Sequence, residues 1–193
     1  MMKATVILAL CAALAAPVFA EEPKTALLII DIQDFYFPGG KVPLVEPEAA
    51  AKNAGKVLAA FRAAGNPVVH VRHEFEPGGS IHASVAPVEG EKVFTKTEVS
   101  CFNGTKVLAH LKETGVEKLV IVGMQTHMCL EAATRAAHDL GFECVVVADA
   151  CATRDLTYGD RTVPAADVHA STLATLNRTY AKVVDTEAFL SGK

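Results

Sequence analysis

The sequence lacks an excess of positive charge and, beyond residue 20, lacks a long hydrophobic run. Its 193 residues include 18 Lys and Arg against 22 Asp and Glu, a formal net charge of −4. This balance disfavours nucleic acid and anionic membranes as partners. No stretch after residue 20 approaches the roughly 20 apolar residues of a membrane span. We therefore expect a small-molecule substrate, with no nucleic acid or membrane partner for the folded part.

The sequence also lacks nucleotide-binding motifs and a high cysteine content. No Gly-x-Gly-x-x-Gly follows the first predicted strand and no phosphate-loop motif occurs, so no cofactor is expected. Five cysteines are too few for a small domain held together by disulfides. Cys144 and Cys151 flank a predicted strand that would hold them roughly 23 Å apart, far beyond disulfide reach. Pairing of Cys101 with Cys129 is left open.

The first 20 residues have the organisation of a secretory signal peptide. Lys3 precedes a nearly continuous apolar segment at 4–18, and Val18-Phe19-Ala20 forms a small-residue cleavage site. We expect residues 1–20 to be removed and the protein to be periplasmic or secreted. A short membrane anchor is the alternative. Residues 21–193 show no repeat or linker and are expected to form one domain.

Apolar and helical segments alternate along the rest of the chain. Strands are predicted at 26–31, 68–72, 93–96, 118–122, 145–147 and 182–185. Helices are predicted at 47–64, 105–114, 130–140 and 163–180, and residues 75–92 form a long Gly- and Pro-rich loop. Several strands are apolar on both faces, which is typical of a parallel sheet covered on both sides. The predicted fold is a three-layer, Rossmann-like α/β domain with about six parallel strands.

Three chemically active side chains stand at the ends of predicted strands. Asp31 closes the first strand, Lys96 closes the third, and Cys129 begins the helix after the fourth. Parallel strands gather their carboxyl ends at one edge of the sheet, where ligands bind. A helix start is expected to lower the pKa of the thiol. Together they indicate a nucleophile with a base and an electrostatic partner, although each residue alone fits capping, solvation or packing.

These residues belong to three motifs that occur in one order. The first is Asp-x-Gln at Asp31 and Gln33, the second Lys-x-x-x-Ser-x-Phe from Lys96 to Phe102, and the third Gly-x-x-Thr-x-x-Cys from 123 to Cys129. In this combination the chain resembles the isochorismatase-like cysteine hydrolases, which include nicotinamidases and N-carbamoylsarcosine amidases. The resemblance spans roughly residues 24–188.

The resemblance implies a catalytic triad and a reaction. Asp31 would act as the base, Lys96 would pair with it, and Cys129 would attack a carbonyl to form a thioacyl intermediate. Backbone N–H groups of Gln125 and Cys129 would form the oxyanion hole, after a cis peptide bond between Met124 and Gln125. The implied activity is hydrolysis of a small amide or related C–N bond, and the family often forms homo-oligomers.

Four further residues are expected to contact the substrate, and two other functions stay open. The expected contacts are Gln33, Tyr36, Phe102 and His127. Having Cys129 favours amides but leaves an isochorismatase-type vinyl-ether hydrolase as an alternative. A thiol-based redox sensor, with Cys101 as the resolving cysteine, is the other.

A metal site is not predicted at the position where nicotinamidases carry one. In the resemblance, the Asp-x-His metal motif of nicotinamidases falls on His73 and Phe75. His73, Glu74 and His82 could gather around a metal, but their spacing matches no strong metal-site pattern.

Overall fold

The computed structural model describes residues 24–192 and contains a central sheet of six parallel strands. The predicted signal peptide lies outside the described residues. The strands are β1 (Thr25–Ile30), β2 (Val68–His73), β3 (Lys92–Lys96), β4 (Lys118–Met124), β5 (Glu143–Ala152) and β8 (Lys182–Val184). Their order across the sheet is β3-β2-β1-β4-β5-β8. The predicted α/β fold with about six parallel strands is therefore confirmed.

Helices cover both faces of the sheet. They are α1 (Pro47–Ala63), α2 (Val107–Glu113), α3 (Glu131–Asp139), α4 (Ala165–Leu176) and α5 (Thr186–Ser191). Helices α1 and α5 contribute to the hydrophobic cluster on one face, and α2, α3 and α4 contribute to the cluster on the other. Alternate residues of β1 enter the two clusters: Leu27 and Ile29 on one side, Leu28 and Ile30 on the other. This two-sided burial explains why β1 has no polar face.

Three parts of the predicted element pattern were wrong. The helix predicted at 163–180 is shorter, because residues 161–163 pair as strand β7 with β6 (Leu156–Tyr158) in an antiparallel hairpin. Strand β5 runs well beyond 145–147, since its end pairs with β4 after a register shift. Helix α5 was missed, since no element was predicted after the strand at 182–185. Its start is capped by the Asp185 side chain, which accepts from the N–H of Ala188.

The strand order places a crevice between β1 and β4. From β1 the chain proceeds outward to β2 and β3, and from β4 it proceeds the other way to β5 and β8. The connections therefore diverge above the carboxyl ends of β1 and β4, which is where open α/β sheets bind ligands. Gly123 permits close approach of these strands. It has φ +137°, and a Cβ there would lie 2.0 Å from the carbonyl oxygen of Ile30.

The helices within residues 24–192 are too short or too polar to cross a bilayer.

Candidate active site

The structure brings Asp31, Lys96 and Cys129 into one buried cluster. Lys96 Nζ lies 2.7 Å from Asp31 Oδ2 and 3.3 Å from Cys129 Sγ. The exposed fractions of the three residues are 0%, 2% and 7% respectively. The residues are far apart in the sequence and meet because β1, β3 and β4 end at the same edge of the sheet. Cys129 is the most exposed of the three, as a nucleophile requires.

Asp31 is placed by an unusual backbone conformation at the end of β1. Its φ is +51°, in the left-handed region, which aspartate tolerates better than most residues. Its N–H donates to the carbonyl of Val71 at 2.9 Å, so the residue stays tied to β2. The strand thus ends in a fixed turn that delivers the carboxylate to Lys96.

Lys96 has a third partner that the sequence interpretation had treated as a possible metal ligand. His73 is its neighbour in the β2–β3 register, and His73 Nδ1 lies 3.1 Å from Lys96 Nζ. His82 instead stacks on the Phe37 ring, with centroids 3.7 Å apart, and bonds Ser84. Between residues 24 and 192, no group of three His, Cys, Asp or Glu side chains is arranged to hold a metal ion.

The chain between β4 and α3 forms a turn that carries the nucleophile. The peptide bond from Met124 to Gln125 is cis, as the resemblance predicted. Residues Thr126–Leu130 then form one π-helical turn, and the regular helix begins only at Glu131. The helix predicted from Leu130 therefore starts one residue later, and Cys129 lies within the wide turn that precedes it.

Gln125, which directly precedes the π-helical turn, is held from two sides. The Gln125 amide donates from Nε2 to the hydroxyl of Tyr36 at 3.3 Å. Its Oε1 accepts from Nε of Arg154 at 3.0 Å. Arg154 was missed by sequence reasoning. Its signal was available, since Arg154 follows β5, whose carboxyl end lies at the same edge of the sheet as the triad.

The next two residues are tethered as well, each by a histidine–threonine hydrogen bond. Thr126 Oγ1 lies 2.9 Å from His169 Nδ1 in α4, and His127 Nδ1 lies 2.6 Å from Thr153 Oγ1 after β5. Neither His169 nor Thr153 was among the predicted site residues. Three consecutive side chains of the turn are thus bonded to other elements, which fixes the backbone that leads to Cys129.

The thiol is not a resting thiolate, so the predicted lowering of its pKa was wrong. Burial raises the pKa of Cys129 to about 12, and the adjacent Asp31 carboxylate adds to the rise, while Lys96 opposes it. These effects outweigh the partial positive charge expected at a helix start. At neutral pH the sulfur therefore carries its proton until a base removes it.

The two charged partners have pKa values that suit this arrangement. Burial raises the pKa of Asp31 despite the opposing charge of Lys96. Burial alone would lower the pKa of Lys96, but the charge of Asp31 together with the contacts to Asp31 and Cys129 outweighs burial, so the pKa of Lys96 is raised. The lysine therefore stays an ammonium, and Asp31 is a stronger base than an ordinary aspartate.

Two of the four predicted substrate-contacting residues, Gln33 and Phe102, make contacts within the protein. Gln33 is fully buried, and its Nε2 donates to the carbonyl oxygens of His73 at 2.9 Å and Gly79 at 2.7 Å. Both of its N–H donors are therefore used in bracing the backbone. Phe102 stacks on Phe142 in the core cluster of α2 and α3, with ring centroids 6.3 Å apart. Their substrate contacts stay predictions, and these positions favour structural roles.

Tyr36 and His127 lie closer to the nucleophile turn. Burial raises the pKa of Tyr36 and the charge of Asp31 raises it further, while the hydrogen bond with Gln125 opposes the rise. Burial lowers the pKa of His127, as does the charge of Arg154. Tyr36 and Arg154 both contact Gln125, and His127 lies within the π-helical turn itself.

The cysteines at 101, 129, 144 and 151 are free thiols in the structure. Cys101 has no exposed surface. Burial raises its pKa to about 12, and the Asp31 charge contributes. At neutral pH, Cys101 is therefore a protonated and sequestered thiol, which makes it a slow resolving group for the redox alternative.

Known proteins share this architecture and much of the sequence. Residues 25–188 match the isochorismatase domain. The isochorismatase family protein YddQ of Bacillus subtilis, described as uncharacterized, is 48% identical over 86% of this chain and 98% of its own length. Maleamate amidohydrolase of Pseudomonas putida is 30% identical over 83% of each chain. A crystal structure of a putative isochorismatase hydrolase from Oleispira antarctica superposes with a TM-score of 0.85 at 48% identity, covering 90% of this chain and all of that one.

Proposed function

The chain belongs to the isochorismatase family of hydrolases, and from that membership we propose that it cleaves a small amide or related C–N bond through Cys129. The observation that carries the proposal is the buried contact of Lys96 with both Asp31 and Cys129, at 2.7 and 3.3 Å. A buried carboxylate, ammonium and thiol, of which the cysteine is the most exposed residue, form a nucleophile with its own base.

In the first half of the reaction, Asp31 takes the proton from the Cys129 thiol as the sulfur attacks the substrate carbonyl. The N–H groups of Gln125 and Cys129 stabilise the tetrahedral oxyanion, and each such donor typically contributes about 3–4 kcal/mol. Collapse of the intermediate breaks the C–N bond. Asp31 returns its proton to the leaving amine, which leaves a thioester on the sulfur.

In the second half, water attacks the thioester while Asp31 accepts a proton from that water. The C–S bond then breaks, the acid product leaves, and the sulfur regains a proton from Asp31. Lys96 keeps its charge throughout. It holds the Asp31 carboxylate in place and stabilises negative charge on the sulfur as the proton moves.

Arg154 favours a substrate that carries an acidic group. Its side chain is bonded to Gln125 through Nε, and the residue is exposed beside the turn. A guanidinium at such a position binds carboxylates with directed hydrogen bonds. The similarity to maleamate amidohydrolase supports a substrate of this kind. We therefore propose small amides with a nearby carboxylate as the preferred class.

The experiment is a screen of small amides and ureido compounds against the purified protein, in matched pairs with and without a carboxylate. Intact-mass measurement during turnover should detect an acyl adduct, and peptide mapping should place it on Cys129. Cys129→Ala should form no adduct. Arg154→Met should weaken turnover of the acidic member of each pair by about 10-fold or more and spare the neutral member.

Other outcomes would support a different function. The isochorismatase-type alternative would be favoured if the protein turned over a vinyl ether without forming an adduct and if Cys129→Ala retained that turnover. A reversible Cys101–Cys129 disulfide after mild peroxide, with no amide turned over, would favour redox sensing. Cleavage of amides by Cys129→Ala would end the thioacyl mechanism.

Export and assembly are separate proposals. We propose that the signal at residues 1–20 directs the protein to the periplasm or the medium, which N-terminal sequencing of the protein from cell fractions would test. We also propose a homo-oligomer, which light scattering on the purified protein would test.

A further inference from the structure

His73 has no step in the proposed mechanism, although it contacts the triad lysine directly. We propose that His73 is a positioning residue whose Nδ1 accepts the third N–H of the Lys96 ammonium and so fixes that ammonium against Asp31 and Cys129. The inference rests on the triad of the proposed function.

The number of hydrogen-bond partners around the ammonium supports this role. A lysine ammonium has three N–H donors and no acceptor. Lys96 Nζ lies 2.7 Å from Asp31 Oδ2, 3.1 Å from His73 Nδ1 and 3.3 Å from Cys129 Sγ. The side chain has no exposed surface, so bulk water is a poor substitute for a lost partner. Removing His73 would leave a buried charged donor unsatisfied.

The backbone of His73 is itself held in place by Gln33. The Gln33 amide accepts from the N–H of His73 at 2.7 Å and donates to its carbonyl at 2.9 Å. Gln33 also donates to the carbonyl of Gly79 at 2.7 Å, which ties in the loop beyond β2. The glutamine of the Asp-x-Gln motif thus fixes His73, and His73 fixes the lysine.

The contact requires a neutral imidazole with its proton on Nε2, because Nδ1 must accept. Charged groups face the ring from each neighbouring element: Lys96 from β3, Asp31 after β1, Glu98 after β3, and Glu74 next in the chain. Burial lowers the pKa of His73, and Lys96 lowers it further against the three carboxylates. Protonation would remove the acceptor and bring a second cation against the ammonium.

The first test is nitrogen NMR of the histidines in the purified protein, with the His73 signals assigned from their loss in His73→Asn. We expect an unprotonated Nδ1 and a protonated Nε2 at pH 7.5, with a titration midpoint below the ordinary value near 6.5. Lys96→Met should raise that midpoint. The matched control is Lys118→Met, which removes an exposed lysine paired with Glu143 and should leave it unchanged.

A proton on Nδ1, or a midpoint that is unaffected by Lys96→Met in a protein that still melts cooperatively, would overturn the proposal. This readout requires no substrate. Failure of the positioning role is therefore distinguishable from failure of amide hydrolysis.

The second test uses an amide turned over in the screen. His73→Leu should lower kcat by about 10- to 100-fold with little change in KM. His73→Asn can place an acceptor near the position of Nδ1 but cannot titrate. It should recover most of kcat, and the acid side of its pH profile should fall with one proton rather than two. His138→Asn, at an exposed position on α3, is the control. Wild-type kcat in His73→Leu would contradict the role.

Discussion

Two clusters in this molecule combine a carboxylate with a cation, yet their carboxyl groups have opposite pKa shifts. In the triad cluster, Asp31 meets Lys96 at 2.7 Å with both side chains buried. In the second cluster, at the end of α1 and the start of β3, Glu91 meets Arg62 at 2.7 Å and His70 at 2.8 Å. Burial raises the pKa of Asp31, whereas the pKa of Glu91 is lowered to about 2.

The difference lies in how many donors each carboxylate receives. Burial also acts to raise the pKa of Glu91, but hydrogen bonds from Arg62, the Val88 N–H and His70 outweigh it. Arg62 alone donates twice. Asp31 has Lys96 as its strong partner, and that ammonium is shared with Cys129 and His73. A carboxylate saturated with donors is held as a charge, and one that shares its donor is left able to take a proton.

The comparison separates a structural device from a chemical one. Glu91 joins α1, β2 and the start of β3 through hydrogen bonds that require its charged carboxylate. Because its pKa is lowered, this carboxylate stays ionised near neutral pH. Asp31 keeps a raised pKa beside a thiol that must lose its proton. Functional sites retain carboxylates that receive fewer hydrogen bonds than they could accept, at some cost in stability.

The largest expected effect is on activity, from Cys129→Ala. Turnover of the amide substrate should fall by at least about 10⁴-fold, because the nucleophile is gone. The free energy of unfolding should change by about 1 kcal/mol or less, since the thiol is small and neutral at rest. Steady-state kinetics and a urea melt measure the two quantities. If Cys129→Ala instead lost much stability and retained its activity, the triad cluster would have a structural role and not a chemical one.

Acidification should separate the two clusters next. Hydrolysis requires the charged form of Asp31, so kcat/KM should fall at least about 10-fold per pH unit once the pH is below the raised pKa. The Glu91 contribution to stability has the other sign. It is complete above the unfolded-state value near 4.5 and is lost only as the pH falls towards about 2.

A pH profile of kcat/KM and a pH series of melts provide the check. Activity should be lost at a pH where the Glu91 contribution is still intact. Coincident losses of activity and stability would show that unfolding, not Asp31, sets the acid limb.

The smallest effect is expected from Glu91→Gln. Removing the charge weakens the bonds to Arg62 and His70, so the free energy of unfolding should fall by about 1–3 kcal/mol. The kinetic constants should stay within about twofold at a temperature where the protein is folded. The control is Glu143→Gln, which weakens the exposed Lys118 pair and should cost less than about 1 kcal/mol.

Strand periodicity and motif order made much of this structure predictable. The continuous apolar run of β1 indicated burial on both faces, and the positions of Asp31, Lys96 and Cys129 after separate strands indicated one shared edge. Local signals were weaker elsewhere. The β6–β7 hairpin consists of two three-residue strands, too short to give an alternating pattern, and it shortened the predicted helix at 163–180.

Several features of the site cannot be predicted from any local pattern in the sequence. The pKa of Cys129 depends on how deeply the turn is buried and on the charge of a residue 98 positions earlier in the chain. Arg154, Thr153 and His169 bond the nucleophile turn from other elements. His73 was compared with metal ligands in sequence, but register pairing placed it beside Lys96.

By itself, the sequence determined the parallel α/β fold and the three residues that end on one edge of the sheet, because hydrophobic periodicity and strand ends are local properties of the chain. The tertiary structure decided the protonation state of the thiol, the use of Gln33 as a brace and the contact between His73 and Lys96. Those depend on distances and on solvent exclusion between segments far apart in the chain, which exist only once the strands pack.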